Sequence, residues 1–272
     1  MLSFVHRLLN IPYTMYVRTD RHAEGKTRAT VVFVHGIGNT GKTWEPIIDG
    51  LPKDMRLIAV DLLGFGKSRK PDWLRYDVAM QARSLQTTLY KLRITGPVII
   101  VGHSLGSLIA IEFAKRYPRR VASLVLCSPP LYDYSNASKK SLRLKADDVL
   151  RDFYLRVGKG NKARLVKLAA MAMKYKLISP AFSVTDENIN SYMATLSASI
   201  VQQTSLVDAE SLHLPISIIR GKLDPVVLLP NIKKLQKINP QVKLTQIAAG
   251  HEVTGRFIPA TTEAILDVSL KS

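Results

Sequence analysis

A serine flanked by glycines, in Gly102-His103-Ser104-Leu105-Gly106, follows the apolar run 98–101 and precedes an apolar helical pattern, 108–117, that Pro118 stops. Glycine on either side removes the Cβ atoms that would clash in a sharp strand-to-helix turn. Such a turn holds the serine strained, with its hydroxyl exposed above a sheet. It also sets the serine at a helix N-terminus, where free N–H groups meet negative charge. A serine hydroxyl is a poor nucleophile until a base takes its proton. Of the six histidines, His251 is placed for that work, in Ala249-Gly250-His251 just past the last strand pattern, 243–247. His6 and His22 lie in the N-terminal segment and His213 in a linker, while His35 and His103 belong to turns where a structural role is expected. An imidazole base needs a carboxylate to fix its tautomer and stabilise its cation. Asp224, in Arg220-Gly221-Lys222-Leu223-Asp224-Pro225, follows the strand pattern 216–219. Open α/β sheets place their ligands at such carboxyl ends of strands.

The elements that must carry these residues alternate. Short apolar runs at 13–18, 31–34, 57–60, 98–101, 124–126, 216–219 and 243–247 are separated by longer helical patterns. That rhythm predicts an α/β fold, a mostly parallel central sheet flanked by helices. Runs such as Val98-Ile99-Ile100-Val101 do not alternate with polar residues, so their strands are expected to be buried on both faces. From Tyr132 to His213 only helical pattern is found. Ile189, Tyr192, Met193, Leu196 and Ile200 share one helical face behind a cap at Thr185. Leu165, Leu168, Ala169 and Met173 mark a second amphipathic helix after Asn161. The expected division is a core of 1–131 and 214–272 with a helical insertion at 132–213.

Acyl transfer through a tetrahedral intermediate needs two preorganised N–H donors for its oxyanion. The candidates are the N–H of Leu105, next to the serine, and that of Ile37, after His35-Gly36 at the end of run 31–34. Gly36 and Gly38 let the backbone approach closely there. With His35-Gly36, the turn Asp61-Leu62-Leu63-Gly64-Phe65-Gly66-Lys67-Ser68, Gly102 to Gly106, Asp224-Pro225 and Gly250-His251, the chain resembles the α/β-hydrolase superfamily. The likeness is to single-domain serine hydrolases of esterase and lipase type with a helical cap, and it covers nearly the whole chain. The order Ser104, Asp224, His251 is the order of that superfamily. Ser107 departs from it, standing where many relatives carry a further glycine, and is expected to affect packing more than chemistry. Serine at 104 sets the chain apart from relatives with aspartate there, the haloalkane dehalogenases and epoxide hydrolases. The resemblance implies a carboxylesterase that works through an acyl-enzyme, with no metal and no organic cofactor. Lipid-ester hydrolysis, carbon–carbon bond hydrolysis and aminopeptidase chemistry on the same site stay open, as does a non-catalytic binding protein on this scaffold.

A rival motif overlaps the turn after His35. Gly36-Ile37-Gly38-Asn39-Thr40-Gly41-Lys42-Thr43 satisfies the pattern of a phosphate-cradling loop, and Asp61 ends the next strand where a magnesium-holding residue belongs. That reading leaves Ser104, Asp224 and His251 as three coincidences, so the hydrolase reading is preferred.

The 272 residues are 46% hydrophobic and 22% charged, which excludes whole-chain disorder. Thirty-nine Lys and Arg against 21 Asp and Glu give a net charge of +18. Such a field draws nucleic acid, anionic lipid and acidic metabolites without specifying any of them. No zinc-finger spacing or RNA-recognition signature accompanies it, so no specific nucleic acid is expected. Residues 139–176 carry twelve basic residues and three acidic ones. The apolar residues Phe153, Leu165, Met171, Met173, Tyr192 and Met193 are expected mostly to pack the cap onto itself, with a hydrophobic acyl pocket as the alternative. The basic stretch reads first as a solvated surface, and as peripheral contact with an anionic membrane in the sharper alternative. One cysteine, Cys127, cannot form an internal disulfide, and the first segment reads poorly as a signal peptide; a cytoplasmic location is expected.

Overall fold

The computed structural model describes residues 6–134, 146–174 and 184–270. Seven strands form one sheet: β1 (Tyr16–Arg21), β2 (Ala29–Val34), β3 (Met55–Asp61), β4 (Val98–His103), β5 (Val121–Cys127), β6 (Ile216–Gly221) and β7 (Val242–Ile247). Their order is β1-β3-β2-β4-β5-β6-β7. β1 runs antiparallel to β3, and every other pairing is parallel. The helices are α1 (Glu45–Gly50), α2 (Val78–Lys91), α3 (Leu105–Arg116), α4 (Ala146–Gly158), α5 (Lys162–Lys174), α6 (Ile189–Thr195), α7 (Ser205–Glu210), α8 (Leu229–Ile238) and α9 (Phe257–Ser269).

The unbroken apolar runs are explained by two-sided burial. Successive strand residues point to opposite faces. Val32, Val34, Ile100, Leu124 and Ile218 join one buried cluster with Leu85 of α2, Leu108 of α3 and Ile232 of α8. Val31, Phe33, Val101, Val125 and Ile219 join the other with Ile47 of α1 and Phe257 and Ile265 of α9. A parallel sheet covered on both faces needs such strands.

The first strand lies later than expected, at Tyr16–Arg21 rather than 13–18. Tyr13 and Met15 are buried ahead of it. The N–H groups of Met15 and Tyr16 donate to side chains, Thr88 Oγ1 at 2.8 Å and Ser68 Oγ at 2.7 Å. The start of this run thus packs as an extended lead-in.

Between β5 and β6 the described residues form helices and no strand. Asn161 caps α5 as expected, its Oδ1 accepting the Arg164 N–H at 3.2 Å. The side chains of Leu168, Ala169 and Met173, and residues 139–145 and 175–176 of the basic stretch, lie outside the described residues. Thr185 does not cap α6. It opens a turn instead, and α6 begins one turn later, after Asn188. Past Thr195 the helix widens into a π-helix, Leu196–Val201, which a reading at 3.6 residues per turn does not foresee. Ser199 Oγ donates there to Tyr76 O at 2.8 Å. No described helix is long and apolar enough to cross a membrane.

Candidate active site

The site lies where β4, β6 and β7 end. Ser104 stands between β4 and α3 at φ 51° and ψ −116°, a backbone region that side chains rarely adopt. Holding a residue there costs about 1–3 kcal/mol, which the surrounding structure must supply. Both flanking glycines are sterically required. A Cβ on Gly106 would stand 2.1 Å from Val34 O, and one on Gly102 would stand 2.5 Å from Gly106 O. The Ser104 N–H donates to Cys127 O at 2.9 Å, tying the turn to β5. Ser107 is buried, with its hydroxyl donating to Gly102 O at 2.9 Å, a packing role in line with expectation.

Asp224 is buried in the loop after β6. Its Oδ1 accepts the Val226 N–H at 2.9 Å, and its Oδ2 meets His251 Nδ1 at 2.8 Å. Burial pushes this carboxyl upward, but the imidazole bond, the imidazole charge and the Val226 N–H together hold it below the usual range. Tyr132 steadies the same loop, its hydroxyl donating to Val226 O at 3.0 Å. The loops after β6 and β7 brace each other: Lys222 N–H donates to Ile247 O at 2.8 Å and Leu223 N–H to Ala249 O at 3.0 Å. Gly221 is needed for that approach, since a Cβ there would lie 2.1 Å from Gly250 O.

His251 Nε2 lies 3.1 Å from Ser104 Oγ. The three side chains singled out from the sequence, spread over 147 residues, thus meet in one hydrogen-bonded row. With Nδ1–H donated to the carboxylate, the neutral ring offers its Nε2 lone pair to the hydroxyl. Ser104 is 7% exposed, so access runs through a cavity of about 210 Å³. Its lining includes Ile37, Phe153, Tyr192, Leu196 and Ile200.

The remaining expected residues fall around this row. The N–H groups of Ile37 and Leu105 donate to no acceptor among the described residues. Gly36 packs against the elbow, where a Cβ would stand 2.8 Å from His103 Nδ1 and 3.2 Å from Ser104 Cβ. His35 holds its own turn: Nδ1 bonds to Gly36 O at 2.8 Å and Nε2 accepts the Leu62 N–H at 2.9 Å. His103 Nε2 bonds to the main-chain carbonyl of His251 at 3.0 Å. Burial pushes both of these imidazoles down to about 4, so they are neutral supports.

The phosphate-cradle reading of Gly36–Thr43 is corrected by the geometry. The two groups it needs are bonded to each other, Gly41 N–H donating to Asp61 Oδ1 at 2.8 Å. The rest of the Asp61 carboxylate is taken by Arg18, at 3.0 and 2.8 Å, and by the Lys67 N–H at 2.9 Å. After the loop comes a short 3-10 turn, Gly41–Trp44, in place of a long helix aimed at a phosphate.

Asn39, Glu252, Tyr154 and Tyr192 also line the cavity, and sequence reasoning did not single out Asn39, Glu252 or Tyr154. Only Glu252 carried a signal, its place directly after His251.

A family model for the alpha/beta hydrolase fold matches residues 29–253. A protein of Arabidopsis thaliana, probable lysophospholipase BODYGUARD 1, is 29% identical over 124 residues. That match takes in 44% of this chain and 26% of the relative, so the chain spans about a quarter of the length of such curated relatives. The structure of a thermophilic esterase from Thermogutta terrifontis superposes with a TM-score of 0.71 at 20% identity, covering 92% of this chain and 93% of that one. An esterase from Exiguobacterium antarcticum superposes with a TM-score of 0.73 at 19% identity, covering 95% and 96%. With the family match running from β2 to the histidine loop, the chain belongs to the alpha/beta hydrolase fold family.

Proposed function

We propose that the protein is a serine hydrolase that cleaves carboxylic esters through an acyl-enzyme. The observation that carries this reading is the row Asp224–His251–Ser104, at 2.8 and 3.1 Å, opening on a cavity. His251 Nε2 takes the Ser104 proton as Oγ attacks the ester carbonyl, and Asp224 stabilises the imidazolium. The N–H groups of Ile37 and Leu105 receive the developing oxyanion. Collapse releases the alcohol, which leaves with the proton from His251. Water, activated by the same imidazole, then frees the acid. The helices between β5 and β6 serve as a cap that shapes the acyl pocket. The names of the Arabidopsis relative and of the two esterases point to the same chemistry.

The test is labelling by a fluorophosphonate probe with Ser104→Ala as control, followed by an acyl-chain series of p-nitrophenyl esters. Labelling lost in the variant, with ester turnover in the parent, is expected. A faster reaction on a vinylogous diketone or a proline amide would move the assignment to carbon–carbon hydrolysis or peptidase chemistry on the same residues. No labelling at all would favour a binding protein.

A second reading, lipid-ester hydrolysis at an anionic membrane, is favoured by exposed apolar residues beside cations. Val149 and Phe153 on α4 and Met171 on α5 are more than half exposed. Arg156, Lys159, Lys162 and Lys167 belong to the same helices and their connection. Apolar contact joined to attraction for anionic lipid suits the edge of a bilayer. Sedimentation with anionic liposomes that weakens with salt is expected; equal binding to neutral vesicles, or none, removes it.

A further inference from the structure

One wall of the cavity carries a carboxylate, with an amide behind it, that the proposed ester chemistry does not use. Asn39, two residues after Ile37, is 1% exposed, and Glu252 follows His251. Both line the cavity with Ser104. Asn39 Nδ2 faces Glu252 Oε2 at 3.5 Å. An ionised carboxylate can only accept, so it fixes which end of the amide turns toward it. Asn39 Oδ1 then points into the packed wall, with no partner among the described residues. The chain has 39 Lys and Arg, yet none stands among the described residues lining the cavity. The wall therefore presents the Glu252 carboxylate as its acceptor, held from within by Asn39.

The geometry points to a polar subsite, resting on the serine-hydrolase reading, in which the Glu252 carboxylate, positioned by Asn39 Nδ2, accepts hydrogen bonds from free hydroxyl groups on the substrate's alcohol portion, as in a glyceryl monoester. The leaving alcohol oxygen takes its proton from His251 Nε2. Glu252 is the next residue, so the alcohol portion lies on this side. Phe153, Leu196 and Ile200 offer the acyl chain an apolar wall instead. A site built to bond a hydroxyl discriminates against the analogue lacking it more sharply than an apolar pocket discriminates by size.

The test compares kcat/KM for 1-decanoylglycerol, ethyl decanoate and decanoylcholine, at concentrations where each is monomeric, in the parent, Asn39→Leu and Glu252→Gln. The glyceryl ester is expected to be favoured over the ethyl ester by about tenfold or more, and each substitution to shrink that ratio about tenfold. Thermal melts of both variants show that they fold; Glu252, being only half-buried, keeps the test open should Asn39→Leu fail to. A parent ratio near one, or a ratio that neither variant changes, overturns the subsite. So does a preference for the choline ester, since that would mean a site reading charge. Fluorophosphonate labelling of the same samples separates the two levels. Loss of Ser104 labelling in the parent sinks the hydrolase reading, whereas intact labelling with an unchanged ratio sinks only the subsite.

Discussion

The ring of His103 reaches the main-chain carbonyl of His251 at 3.0 Å, so the residue beside the elbow serine holds the loop that carries the His251 imidazole. His103→Ala removes that tether and is expected to lower kcat by about 10- to 100-fold with KM little changed, because small displacements of a base are costly. His103→Gln, whose Nε2 can donate from a similar place, should recover most of the loss. Steady-state kinetics on the three proteins decide it; equal kcat in all three would show the contact to be incidental.

Asp224→Asn keeps the shape of the row but gives the imidazole the wrong partner. Loss of kcat by about 10⁴-fold is expected on the pattern of such acids, with circular dichroism unchanged. A loss under tenfold would place the orienting acid elsewhere.

The strained backbone of Ser104 predicts a trade between activity and stability. Ser104→Gly should raise the unfolding free energy by about 1 kcal/mol in urea melts, strain relief outweighing the entropy that glycine loses on folding. Ser104→Ala keeps its Cβ and should show no such gain. Equal stability in both variants would mean that the turn is relaxed.

Acid should weaken the fold through His35 and His103. Both are buried and neutral with pKa values pushed down to about 4, whereas an unfolded histidine titrates near 6.5. Between those values the unfolded chain binds more protons. Stability is therefore full above pH 6.5 and drains away as the pH falls toward 4, by about 3 kcal/mol for each ring. Urea midpoints from pH 7 to 4 measure the fall, and imidazole NMR signals that titrate near 6.5 for either residue would contradict it.

Cys127 is buried against Thr261, with its thiol pushed up to about 12 by burial. A disulfide reagent at pH 8 should label it only as fast as the protein unfolds, leaving ester turnover intact beforehand. Rapid labelling of the folded protein would show an opening at the end of β5.

Much of this was legible because steric and chemical demands act on single residues. Gly102 and Gly106 flank the serine because nothing larger fits beside Gly106 O and Val34 O, and the apolar runs of β2 to β6 announce burial on both faces. The order Ser104, Asp224, His251 required only that each follow its strand. Other features depend on partners distant in sequence. The start of β1 was moved by hydroxyls on Ser68 and Thr88, which no local pattern reveals. Asp61, which the sequence offers to magnesium, is occupied by Arg18 on the antiparallel strand. Asn39 stood inside a motif suited to phosphate, which hid its place in the cavity wall.

The π-helix at Leu196–Val201 closes each loop of its ladder on the fifth residue rather than the fourth, so it stores about one residue more per turn than the helix it continues. Shedding a single codon there would let the segment rewind, swapping which side chains face the cavity while the sheet, the elbow and the histidine loop stay untouched. The shape of this part of the cavity wall and the placement of the Ser104, His251 and Asp224 side chains are thus carried by separable pieces of chain.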